Sequence, residues 1–308
     1  MPRPSCVATP PPRRVWGAPS PLTALLLGML LVLSGCAAVR PVSGPSRPAS
    51  TAASPSARPS ARSSPPSAST SPPTTPSSWN VVALGDSVTA GGPCDCTTFP
   101  TLYAQKVAYA RGIHTHVQNL GVNGEDSAQL LSAVRGSGST TAAVRGAAID
   151  LVTIGANDFS DQHDAVTGGR CLADDSTACV DQQLASMESN LEGIIDAIHQ
   201  LRAGRPTSVL VTGYWNVFED GAVARKAFSD DGVRATRRLT ALVNDGIRRA
   251  ATHGGATYVD LTVPFIGPRT SYDATSLLGP DGDHPNAAGH QLIATRLLAA
   301  GLPGLAPG

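Results

Sequence analysis

The folded part of this 308-residue chain is predicted to be an α/β protein, a three-layer α/β/α sandwich around a five-stranded parallel sheet. Two observations predict it. From Trp79 onward, short apolar runs alternate with segments of helical periodicity, and a β-α-β alternation of that kind builds a parallel sheet between helices. The runs also read as continuous apolar stretches rather than alternating ones, as in strands covered on both faces.

The five runs are Asn80–Leu84, His116–Leu120, Ile149–Ile154, Ser208–Thr212 and Thr257–Leu261. The clearest helix carries apolar residues at Val180, Leu184, Met187, Leu191, Ile194, Ile198 and Leu201, a 4-3-4-3-4-3 spacing that marks one buried stripe. A second helix is expected over Asp231–His253, where Gly254-Gly255 supplies a stop signal. The last runs from near Asn286 to about Ala300, with Pro285 just before it. No internal repeat is visible.

The chain ahead of this domain is of another kind. Residues 1–78 hold seven Arg and no Lys, Asp or Glu, which leaves 16 basic residues against all 23 acidic ones in the remainder. The domain is therefore near −7, and a nucleic-acid partner is excluded because phosphate binding needs a basic face. Residues 1–35 read as a signal peptide, with Arg13 and Arg14 as a positive n-region and Leu22 to Leu33 as an apolar h-region. That run is short of the ~20 residues of a membrane span. It ends at Leu33-Ser34-Gly35-Cys36, which looks like a bacterial lipobox with Cys36 as the lipidated residue; a plain secretory signal is the alternative. Residues 36–78 are almost all Ser, Pro, Ala, Thr and Arg, too poor in large apolar groups to fold, and are expected to be a disordered stalk. A chain of that length spans roughly 35 Å when flexible and about 130 Å as polyproline. The expectation is a monomer held by lipid on the outer face of the cell membrane or in the cell wall.

Cys6 leaves with the signal, so Cys94, Cys96, Cys171 and Cys179 remain, an even number in an oxidising compartment. Cys171 with Cys179 closes a short local loop and is the preferred pair; Cys94 and Cys96 then pair in a tight ring or stay free. A zinc site is the rival, weakened because no histidine pair stands near them at ligand spacing. No metal or cofactor is expected.

In a parallel α/β sheet the binding crevice lies outside the carboxyl ends of the strands. Ser87 follows the first strand, Gly124 the second, Asn157 the third, and Tyr214-Trp215-Asn216 the fourth. Ester cleavage needs an exposed alcohol, a base beside it and donors facing the developing oxyanion. Ser87, on a tight turn after a strand, can be the nucleophile. Of seven histidines, His284 stands out in Asp281-Gly282-Asp283-His284-Pro285-Asn286, because an aspartate three residues earlier on a turn can reach Nδ1. His199, His253 and His290 belong to helices, and His114 and His116 flank the second strand. His163, in Asp161-Gln162-His163-Asp164, is the one spare and reads as part of a solvated polar loop.

Four segments, "GDSVT" at 85–89, "NLGVNGEDS" at 119–127, "GAND" at 155–158 and "DGDHPN" at 281–286, resemble in order the four blocks of the SGNH, or GDSL-type, hydrolases. Each block alone is weak; four in order across nearly the whole domain are specific. The resemblance implies a flavodoxin-like sandwich at residues 79–308 that cleaves carboxylic esters. It implies Ser87 as nucleophile, His284 as base and then acid, and Asp281 as the orienting carboxylate. It implies an oxyanion hole of the Ser87 N–H, the Gly124 N–H and the Asn157 side chain. Gly121 is a rival for the glycine role and Asp283 for the aspartate role; the family's positions select Gly124 and Asp281. Val88 and Asn123 depart from the commoner Leu and Ser of the blocks, and Cys94-x-Cys96 is inserted just after the first.

Asp86 and Asp158 read as loop carboxylates rather than catalysts. Tyr214, Trp215 and Phe218 could line an acyl pocket or be core. The absence of Gly-x-Ser-x-Gly, and an Asp only three residues from the His, argue against an ordinary α/β-hydrolase. Three functions follow: a surface-anchored esterase or lipase, a carbohydrate deacetylase or acetyl transferase with the same residues, and a catalytically silent binding module on a stalk.

Overall fold

The computed structural model describes residues 78–305 apart from Ser271. The signal peptide, Cys36 and all but the last residue of the stalk lie outside the described residues. The five strands are β1 (Ser78–Gly85), β2 (His114–Asn119), β3 (Ile149–Thr153), β4 (Ser208–Thr212) and β5 (Thr257–Val259). All pair in parallel in the order β2-β1-β3-β4-β5. The helices are α1 (Ser87–Ala90), α2 (Phe99–Arg111), α3 (Ser127–Arg135), α4 (Ser139–Gly146), α5 (His163–Thr167), α6 (Asp181–Arg202), α7 (Gly221–Ala227), α8 (Asp230–His253), α9 (Thr262–Ile266) and α10 (Ala287–Ala299).

β3 and β4 are buried at every residue, so both faces of the sheet are covered. α2 packs with α10, while α3, α6 and α8 pack together as a second group. The expected stripe on α6 is inward at Met187, Leu191, Ile194 and Ile198, and only half-buried at Leu184 and Leu201. α8 starts where Ser229 caps the Gly232 N–H, and Asn286 caps α10 through the N–H groups of Ala288 and Gly289.

Two strands depart from the expectation of double coverage. β2 begins two residues early and is mostly exposed, because it is an edge strand paired only with β1. Leu120 is past its end, yet its N–H still bonds the Ala83 carbonyl at 2.8 Å. β5 stops at Val259 because Asp260 turns its carboxylate onto the N–H groups of Thr262 and Val263, which starts α9. α3 begins in a reciprocal capping box between Asp126 and Gln129, a signal present in the sequence and not read there.

The sheet order puts the chain reversal between β1 and β3, since β2 lies on one side of β1 and every later strand on the other. The crevice of such a sheet opens at the carboxyl ends of those two strands. Ser87 and Asn157 stand at those ends.

Candidate active site

Ser87 is presented by a sharp exit from β1. Gly85 has φ +132° and sits so close to β3 that a Cβ there would be 1.9 Å from the Thr153 carbonyl oxygen. The next N–H, of Asp86, donates to that oxygen at 3.1 Å. The Asp86 carboxylate then accepts the Val88 N–H at 2.9 Å, starting the one-turn helix that holds Ser87. Its other oxygen accepts the Tyr214 hydroxyl in a short hydrogen bond. Asp86 is buried, and burial pushes its carboxyl up to about 6 against the opposing pull of Tyr214 and the Val88 N–H. It is thus the turn carboxylate the sequence suggested, with a second partner the sequence did not show.

The base is positioned by a hairpin turn. Gly279 N–H donates to the His284 carbonyl at 2.7 Å, and Leu278 bridges Pro285. Within the turn the Asp281 Oδ1 accepts the N–H groups of Asp283 and His284, both at 3.1 Å. Its Oδ2 lies 2.9 Å from His284 Nδ1, and His284 Nε2 lies 2.7 Å from Ser87 Oγ. A carboxylate at Nδ1 places the imidazole proton there and leaves Nε2 free to accept from the serine hydroxyl. Burial raises the Asp281 carboxyl, but those two N–H groups and the imidazole more than offset it, so it stays ionised. Asp283 Oδ2 is 3.7 Å from Nδ1, outside hydrogen-bond range, so the geometry favours Asp281 as the orienting group.

The other two residues that the resemblance names stand on the turns after β2 and β3. Gly124 has φ +77° on a turn closed by the Glu125 N–H on the Val122 carbonyl, and its own N–H has no acceptor among the described residues. The rival Gly121 spends its N–H on Asn119 Oδ1 at 3.0 Å, and a Cβ there would sit 2.4 Å from Ala90 N. Asn157 donates one amide hydrogen to the Glu125 carbonyl at 2.9 Å, which fixes the amide's orientation and leaves its second hydrogen free. The neighbouring Asp158 accepts from the Ser127 N–H at 3.0 Å and from the Ser127 hydroxyl at 2.5 Å, tying the second and third segments together. It is a loop anchor.

Tyr214 and Trp215 are almost wholly buried. They back a cavity of about 30 Å³ that also touches Ser87, Asn157 and Asp283. Phe218 is elsewhere: it meets the edge of His163 at 4.8 Å. His163 begins α5 rather than lying in a loop, and its part-exposed ring stands 3.3 Å from both Asp164 and Glu219. Cys94–Cys96 and Cys171–Cys179 are both disulfides, so the ring alternative applies to the first pair. Cys94, Cys96 and His290 gather within 4.8 Å, but the Phe99 N–H donates to His290 Nδ1, which puts the ring proton on Nε2. Disulfide sulfurs and a protonated nitrogen do not make a zinc ligand set.

Sequence reasoning takes Gly91-Gly92 only as the start of an active-site loop and misses that Gly92 packs on the base. With φ +47°, its backbone lies flat against the base, and a Cβ there would be 2.5 Å from His284 Cδ2. The Gly91-Gly92 doublet so soon after Ser87 was the available signal. It also missed Asn119, whose amide donates to the Thr89 carbonyl at 2.7 Å and locks the second segment onto α1.

A serine, imidazole and carboxylate in hydrogen-bonded series, on a parallel α/β sheet, is the outline of an ester hydrolase. The chain belongs to the GDSL-like Lipase/Acylhydrolase family, whose sequence profile matches residues 83–292. It is 28% identical over 236 residues to Lipase 2 of Streptomyces coelicolor, covering 69% of this chain and 78% of that protein. A lipase from a goat rumen metagenome superposes with a TM-score of 0.58 at 16% identity, covering 73% of this chain and 98% of that one. A catalytic mutant of an acetylxylan esterase from Geobacillus stearothermophilus superposes at 0.51 and 16% identity, covering 75% and 97%. The protein is a carboxylic ester hydrolase of the SGNH/GDSL type.

Proposed function

We propose that ester cleavage proceeds through Ser87, His284 and Asp281. The observation that carries this reading is the unbroken series Ser87 Oγ to His284 Nε2 at 2.7 Å and His284 Nδ1 to Asp281 Oδ2 at 2.9 Å. Ser87 Oγ attacks the ester carbonyl carbon as its proton passes to His284 Nε2. The carbonyl oxygen takes up negative charge against the N–H groups of Ser87 and Gly124 and the free hydrogen of Asn157. The imidazolium, stabilised by Asp281, protonates the departing alkoxide, which leaves as the alcohol. Water then attacks the acyl-serine with His284 as base, and the acid and free Ser87 are released. One such oxyanion donor is typically worth about 2.7–4 kcal/mol of transition-state stabilisation.

Full-length Ser87→Ala is expected to be folded and without measurable ester turnover. Asp281→Ala should retain a measurable fraction, since the orienting carboxylate costs less to lose than the nucleophile. A folded Ser87→Ala enzyme with intact turnover refutes the assignment.

The same reading extends to the N-terminus. Residues 1–35 are removed as a signal, Cys36 carries lipid, and residues 36–78 hold a monomeric domain off the outer membrane face. The lipobox residues Leu33-Ser34-Gly35-Cys36 support it. Cys36→Ala is expected to move ester hydrolase activity from washed membranes into the medium; activity that stays with the membranes counts against the anchor.

A further inference from the structure

The wall behind Ser87 is small, polar and fixed. The cavity between Ser87, Asn157, Asp283 and residues 214–217 measures about 30 Å³. A water needs roughly 10–15 Å³ on this measure, so the space admits about two of them. Its back cannot easily retreat. Trp215 is stacked on Phe265 with ring centroids 4.3 Å apart. The Asn244 side chain clamps Tyr214 at both its N–H and its carbonyl, each at 2.8 Å. The Asn216 Oδ1 accepts from the Thr240 hydroxyl and the Phe218 N–H, and the Val217 N–H donates to Thr240 Oγ1 at 3.1 Å. Part of the lining is the polar surface of Asp86, Asn216 and Asp283, which an alkyl chain would desolvate without return.

The other side of the reacting carbon differs. The leaving oxygen takes its proton from His284, so the alcohol departs over the 279–285 turn. Against that turn Gly282 packs so closely on Val223 that a Cβ would be 2.5 Å from the Val223 Cβ. There an open groove of about 510 Å³ runs over Ala222, Val223, Lys226, Ala227 and Pro280.

We propose that this enzyme is an acetylesterase: the pocket of Ser87, Val217 and Trp215 takes the methyl of an acetyl group and rejects longer acyl chains, while the groove over Val223 and Pro280 accepts a bulky alcohol. This rests on the reading of Ser87 as nucleophile. One methylene too many in a filled pocket changes kcat/KM by roughly 10–200-fold.

The test uses the full-length enzyme and p-nitrophenyl esters that differ only in the acyl group. Acetate is expected to be the best substrate, with kcat/KM for butyrate at least about 30-fold lower and octanoate lower still. Val217→Ala, which removes two methyls from the wall, should raise the butyrate-to-acetate ratio by about tenfold or more. Replacing p-nitrophenol by a naphthol in the acetyl ester should leave kcat/KM within about threefold, well inside the penalty for one ill-fitting methylene. Octanoate or butyrate turned over as well as acetate overturns the acyl assignment, and a Val217→Ala enzyme with an unchanged ratio does so too. A collapse on the naphthyl ester overturns the alcohol assignment. Labelling with a methyl- and an octylfluorophosphonate, each of which loses fluoride as Ser87 Oγ bonds phosphorus, separates the two layers. Ser87 labelled by the methyl probe in preference supports the proposal, and equal labelling refutes it. No labelling of Ser87 by either, in folded protein, removes the nucleophile and the acyl pocket together.

Discussion

Gly92→Ala should damage catalysis without replacing any reacting group. Alanine there meets two separate penalties. Its φ of +47° is left-handed backbone, worth about 1–2 kcal/mol against a residue with a Cβ. The Cβ would also stand 2.5 Å from His284 Cδ2 and 2.8 Å from Cγ, where ordinary contact begins at 3.4 Å. Ring or loop must therefore yield by about 0.9 Å, which carries Nε2 out of the ~3.2 Å range in which it bonds Ser87 Oγ. A misplacement of that size costs about 100-fold in rate, or ~2.7 kcal/mol. Gly112→Ala separates the two penalties, because Gly112 has φ +63° and nothing within 4 Å of its missing Cβ. Both variants should lower Tm by roughly 2–8 °C, the backbone share. Measured on p-nitrophenyl acetate well below Tm, Gly92→Ala should lose about 100-fold in kcat/KM and Gly112→Ala should stay within about twofold of wild type. Gly92→Ala with near wild-type kcat/KM would mean that His284 is not held by this contact, and the reasoning fails.

Two further outcomes follow from buried carboxyls. Tyr214→Phe removes the hydroxyl that donates to Asp86, leaving a buried carboxyl oxygen without its partner, so urea unfolding should show a loss of about 1–3 kcal/mol. An unchanged midpoint would show that the contact contributes nothing. Asp150, within β3, has its carboxyl pushed up to about 8 by burial, with Arg202 opposing. Its unfolded value is near 3.8, so between those pH values the native state holds more protons and stability falls as pH rises, by up to about 1.4 kcal/mol per unit. Asp150→Asn deletes this titration. Its urea midpoint should decline less than wild type from pH 5 to 8, although Asp86 and Glu125, pushed up by burial to about 6 and about 7, still titrate in that window. Parallel pH profiles for the two proteins would refute the burial argument.

The central strands were legible because burial on both faces favours runs dominated by apolar residues, as in Ile149–Thr153 and Ser208–Thr212, although each also buries polar groups such as Asp150 and Ser208. β2 was read two residues late because an edge strand carries no such constraint: His114 and His116 are exposed within it. Asp281 and His284 stand out locally, as a carboxylate one turn from an imidazole, but Ser87 after its strand is ambiguous alone and was singled out because four short segments follow in the order the resemblance requires. Long-range packing was not legible. Nothing in Phe218 says that it will meet His163 rather than the cavity beside Ser87, and nothing in Asn244 says that it will clamp Tyr214 from 30 residues away. Such pairings are set by how helices and loops distant in sequence pack together, and that is a property of the packed sandwich.

The same distinction accounts for the length of the four segments, which exceeds what chemistry alone requires. A serine, a glycine N–H, an amide, an imidazole and a carboxylate are five groups from four separate turns, and each turn must be fixed to its neighbour within a fraction of an ångström. The remaining residues of the segments do this. Val122 N–H donates to the Gly85 carbonyl at 2.8 Å, and Asn119 to the Thr89 carbonyl at 2.7 Å, which binds the second turn to the first. Asn157 to Glu125 and Ser127 to Asp158 bind the third to the second. Tyr214 to Asp86 binds the end of β4 to the nucleophile turn, and Gly92 sets the base against it. Asp86 and Asp158 therefore stand beside Ser87 and Asn157 for a mechanical reason. Each is the acceptor that ties its own turn, and with it the reacting group, to a neighbouring strand end.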